Sequence, residues 1–118
     1  MTRDEVRALI LSYPETRDAT SYGEPSFHAG GKFLTWFRPK LDDSIVVHLD
    51  SLDERDFLLE ADPAAFHITE HYRNHPIVLA RLAQIDPGWL ASRLARRWRA
   101  VVPKRLSRAH ARIPGEDG

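Results

Sequence analysis

The sequence predicts an α+β fold, a two-layer sandwich in which an antiparallel sheet of about five strands is packed by N- and C-terminal helices. Three observations carry this prediction. Apolar residues recur with helical spacing at both ends of the chain, at Val6, Leu9, Ile10 and Tyr13 and again at Leu90, Leu94 and Trp98. Between these ends the apolar residues alternate with a period of two, the mark of half-buried strands. Turn-forming residues, Gly30-Gly31 above all, separate the alternating runs.

Each element has its own local reason. Thr2 and Glu5 form a T-x-x-E capping box, so each side chain can satisfy a backbone N–H at the start of the first helix. Pro14 stops that helix. Ser26–Ala29 and Lys32–Arg38 flank Gly30-Gly31, a pair suited to the positive φ angles of a tight hairpin. Ser44–Leu49 is the third strand, with Ile45, Val47 and Leu49 on one face. A short helix over Glu54–Glu60 follows, capped by Asp53 or Ser51 and broken at Asp62-Pro63. Phe66–Thr69 and Ile77–Leu82 complete the strands, separated by the loop 70–76. Asp86-Pro87 supplies an N-cap and a first-turn proline for the last helix, which runs to about Val102. Leu90, Ala91, Leu94, Ala95, Trp98, Val101 and Val102 fall on one arc of it.

A length of 118 residues suits one domain. Residues 1–106 are expected to form it, with 107–118 a basic, then acidic, flexible tail. There is no cysteine, which removes disulfides, thiolate catalysis and cysteine-ligated metal together. The composition fits a reducing cytoplasm, and neither a signal-peptide h-region nor a membrane-spanning apolar run is apparent. The net charge of zero conceals an asymmetry. Residues 1–86 carry 15 acidic and 9 basic side chains, whereas residues 87–115 carry 8 basic and no acidic ones. Such a block points to a polyanionic partner.

The motifs Ser21-Tyr22-Gly23-x-Pro25-x-Phe27, Gly31-Lys32 and Asp53-Glu54-Arg55 occur in order. They are followed by Phe66-x-Ile68-Thr69-x-His71-Tyr72, Pro76, Asp86-Pro87, Trp98 and Pro103-Lys104-Arg105-Leu106. Each is short, but their order and spacing over roughly residues 2–106 resemble the MmcQ/YjbR family of small bacterial proteins. The resemblance implies a frataxin-like (CyaY-like) sandwich and a protein often labelled DNA-binding. It does not carry iron binding with it. The first helix has no acidic ridge, because Asp4 and Glu5 alternate with Arg3 and Arg7.

The first candidate site is therefore the basic C-terminal helix and its extension. Arg96, Arg97, Arg99, Lys104 and Arg105 are the expected phosphate contacts for double-stranded DNA, with Arg93, Arg108 and Arg112 extending the field. The competing reading is solvated arginine, with stems covering apolar surface and charge neutralised by carboxylates of residues 1–86. The second candidate is the loop His71, Tyr72, Arg73, which could line a small-molecule or protein-interaction site. Its alternative is local, with Tyr72 packed and Arg73 solvated.

Other features resolve to blander readings. His67, His71 and His75 sit four apart, but the strand-like alternation of 66–69 sends them to different places, and no metal is expected. Gly30-Gly31-Lys32 lacks P-loop spacing and reads as a turn. Ser21 lies in no nucleophile elbow. No catalytic constellation is apparent and no cofactor is implied. The aromatic pairs Phe33/Phe37 and Leu34/Trp36 alternate, so one pair is expected on the sheet face left open by the helices.

Overall fold

The computed structural model describes residues 1–116. Its order is α1 (Arg3–Leu11), β1 (Thr16–Ser21), β2 (Glu24–Ala29), β3 (Lys32–Arg38), β4 (Ser44–His48), α2 (Leu52–Ala61) and β5 (Phe66–His67). A 3-10 turn at Glu70–Tyr72 precedes β6 (Ile77–Arg81), α3 (Pro87–Val101) and α4 (Lys104–Ala109). The predicted α+β class is correct. All neighbouring strands pair antiparallel, in the order β1-β2-β3-β4-β6-β5.

The helix starts form as their sequences dictate. Thr2 accepts from the Glu5 amide while Glu5 accepts from the Thr2 amide, so the capping box is closed on both sides. Ser51, not Asp53, caps α2, and Asp86 caps α3 ahead of Pro87. Both Gly30 and Gly31 have positive φ, as the β2–β3 hairpin requires.

The sheet has six strands, not five. The additional one, β1, reads TRDATS, and no residue of it is fully buried, so no apolar alternation announces it. It pairs with β2 through a hairpin at Tyr22-Gly23, both of positive φ. A second difference lies in β3. The register shifts between Phe27 and His28, which makes Leu34 the extra residue of a bulge. Leu34 and Phe37 are consequently both in the core, while Phe33 and Trp36 are half-buried. Strict alternation had paired them otherwise.

One face of the sheet holds the main core. Val6 and Ile10 of α1 and Leu90, Leu94 and Trp98 of α3 meet Phe27, Ile45, Val47 and Val78 there. Trp98 is fully buried and its indole N–H donates to Pro14 O at 3.0 Å. The opposite face carries a smaller cluster in which Tyr72 covers Val46 and Leu79, with Trp36 alongside. No helix among the described residues is long and apolar enough to cross a membrane.

The chain stays packed beyond residue 106. Leu106 and Ile113 are buried, and Glu116 pairs with Arg99 of α3. Of the expected flexible tail 107–118, residues 107–116 thus follow the body of the domain, because apolar Ile113 has a core to join. Residues 117 and 118 lie outside the described residues.

Candidate functional site

The arginines of α3 are the natural starting point, since their helix presents them on both flanks of the apolar arc. The fold uses most of them. Arg93 pairs with Glu54 of α2 and stands 3.7 Å from Asp50. Arg97 donates from Nε to Leu34 O at 2.8 Å and from Nη2 to Phe33 O at 3.3 Å. Arg99 donates to the carbonyls of Ser107, His110 and Ala111 and to both carboxylate oxygens of Glu116. This pairing holds the Glu116 carboxyl below its usual range and raises Arg99. Two of the five expected phosphate contacts, Arg97 and Arg99, are therefore committed inside the fold. Backbone carbonyls and a returning acidic residue claim them first.

Arg96 is more accessible. It reaches Asp50 at 2.5 Å, but both side chains are more than half exposed, a pairing worth little in water. Lys104 and Arg105 lie on α4, exposed, together with Arg108 and, after the helix, Arg112. None of these four makes an ion pair among the described residues.

The loop candidates separate. Tyr72 is buried, and its hydroxyl accepts from Arg38 Nη1 at 2.9 Å. His71 is exposed and sets its ring edge against Tyr72, with centroids 4.9 Å apart. Arg73 is exposed and pairs with Glu70. The three do not converge on one concavity. What fixes the loop is Arg55 of α2, whose guanidinium donates to the carbonyls of Tyr72, Arg73 and His75. Of the three spaced histidines, His67 is held by Ser44 Oγ at 2.8 Å, away from the other two. No group of three or more metal-ligating side chains is close enough to hold an ion among the described residues.

The notable concavity lies between the end of β4, the start of β6 and the last turns of α3, and has a volume of about 500 Å³. Arg96, Arg97 and Ala100 line it from α3, and His48, Asp50, His75 and Ile77 from the strand side. Burial, and then the Arg97 charge, push His48 down to about 4, so its imidazole is neutral at physiological pH. Its Nδ1 is buried without a hydrogen-bond partner. Burial also lowers Arg97. His48 did not stand out in the sequence. The available signal is a histidine at the end of a strand that is otherwise apolar after Ser44.

On the outer sheet face Trp36 is flanked by Phe33 and by Tyr22, and the Arg38 guanidinium lies 4.3 Å above its ring. Tyr22 itself is 97% exposed.

Comparison with known proteins fits these motifs. The YjbR family model matches residues 11–100, most of the chain. The chain belongs to the YjbR family. Relatives of this YjbR protein include an uncharacterized protein of Mycobacterium bovis and another of Mycobacterium tuberculosis. Each is 26% identical over 124 residues, covering 92% of this chain and 94% of the relative. No solved structure gives a significant match to the YjbR chain.

Proposed function

We propose that this YjbR-family protein is a non-catalytic binding module that holds nucleic acid through α4 and the segment after it. The observation that carries this reading is the set Lys104, Arg105, Arg108 and Arg112. All four are exposed and none is ion-paired among the described residues. They lie in a stretch from which acidic residues are absent until Glu116. Phosphate contact by such side chains is driven by counterion release and is insensitive to base sequence. Arg96 is a peripheral contact, since a phosphate can displace the exposed Asp50. Arg97 and Arg99 have structural roles and drop out of the interface.

Fluorescence anisotropy of labelled duplex DNA at two salt concentrations tests this. Four phosphate contacts predict a log–log salt slope of roughly −3 to −4. The quadruple variant Lys104→Ala, Arg105→Ala, Arg108→Ala, Arg112→Ala should lose most of the affinity, whereas Arg96→Ala loses little. Absence of binding at low salt, or full binding by the quadruple variant, overturns the reading.

A second reading, an interaction module on the open sheet face, is supported by the exposure of Tyr22 beside Trp36. In that case Tyr22→Ala and Trp36→Ala abolish partner capture and leave the salt-dependent DNA binding unchanged.

A further inference from the structure

We propose that the cleft between the end of β4, the start of β6 and α3 binds a small organic anion, a carboxylate or phosphate monoester attached to an apolar body. Arg96 and Arg97 supply the positive charge, His48 a neutral ring nitrogen, and Ile77 and Ala100 the apolar contact. The site is distinct from α4, so its failure leaves the nucleic-acid reading untouched.

Four observations combine. The volume of about 500 Å³ is that of an ordinary small-ligand site. Arg97 is half-buried and has no carboxylate within 4 Å among the described residues. Buried charge is normally compensated, so a half-buried guanidinium without a carboxylate partner favours an anion beside it. The two carbonyls that receive its Nε and Nη2 fix the plane of the guanidinium and leave Nη1 without a partner among the described residues. The group is thus oriented before any ligand arrives, which lowers the entropic cost of binding. The third observation is His48, which lines the cleft and whose buried Nδ1 has no hydrogen-bond partner. The fourth is the charge count of the lining. Two guanidinium groups face one carboxylate, Asp50, with His48 neutral, so a single positive charge is left over.

An anion seated there would offset Arg97 at His48. Binding should therefore raise the His48 pKa. The charged and titratable groups that line the cleft with His48 are Arg97 and Arg96 of α3, His75 before β6, and Asp50 after β4.

The test is NMR titration of the full chain with benzoate and with phenyl phosphate. Sodium chloride at matched ionic strength and benzyl alcohol serve as controls. The expected result is saturable shifts of the His48 ring and of the Ile77 and Ala100 methyl groups with at least one anionic probe and neither control. Arg96→Gln should weaken binding about tenfold, the loss of one charge-assisted contact. Ala100→Leu, which fills the cleft without removing charge, should abolish it. Both positions are exposed, so amide spectra away from the cleft check that the fold is retained. Shifts no greater than those from chloride overturn the proposal, as does saturable binding that survives both substitutions. A preference for one probe over the other assigns the anionic group.

Discussion

Arg55 has no apolar role, yet its side chain is only 9% exposed. It bridges α2 to the loop 70–76, donating to Tyr72 O at 3.4 Å, Arg73 O at 2.6 Å and His75 O at 3.0 Å. Removing it leaves Arg73 O without a donor and takes the second donor from Tyr72 O and His75 O, which keep the amides of His75 and Ile77. Arg55→Ala should lower stability by about 3 kcal/mol in urea denaturation. Arg55→Lys should recover little, because an ammonium cannot reproduce the planar fork. His48 gives a second residue-scale prediction. Its pKa is depressed from 6.5 to about 4, so the unfolded chain binds more protons between those values. The stability it contributes is fully present above about pH 6.5 and is lost as pH falls toward 4. Burial also lowers His67, with the same sign. Denaturation of wild type and His48→Gln across this window isolates the His48 contribution, and the slope remaining in the variant reports His67 together with, toward pH 4, carboxylates such as Glu116. Of these residues, the sequence reading named Arg55 only as part of a motif and gave His48 no role. Their importance comes from which carbonyls and charges lie opposite them, information a linear pattern does not carry.

At the scale of elements, legibility follows burial. Helix α1 was readable because one face of it is apolar and the period shows, and β3, β4 and β6 because they are apolar runs bounded by turn residues. Strand β1 was not, since TRDATS is an edge strand held by pairing with β2 and by a turn that places Tyr22 at φ 50°. The segment after α3 was hidden for a different reason. Its basic side chains suggested solvation, while its anchors are the single residues Leu106 and Ile113 and the clasp of Glu116 on Arg99. Gly115 makes this docking possible. It has φ +92°, and a Cβ there would lie 2.3 Å from Ala91 O of α3. Gly115→Ala should therefore release the segment from α3 and raise amide exchange at residues 110–116, with α1 and the sheet unaffected. Glu116→Gln should produce a milder form of the same change, costing up to about 1 kcal/mol.

Over the whole molecule, the charge asymmetry visible in the sequence is partly absorbed by folding. Arg93 and Arg96 meet Glu54 and Asp50, and Arg99 meets Glu116. The net block of eight basic residues thus overstated the free positive field. What survives is displaced toward α4, and the sequence could locate the block but not its pairing. The strand order has a further consequence, in the time domain. Strands β1 to β4 form a consecutive meander whose pairings each close only a short turn, whereas β6 must find β4 across residues 49–76. Closing that segment loses more chain entropy before any ladder bond offsets it. The meander is expected to condense first, with β4–β6 pairing, and the cleft that the two strands help to wall, following it.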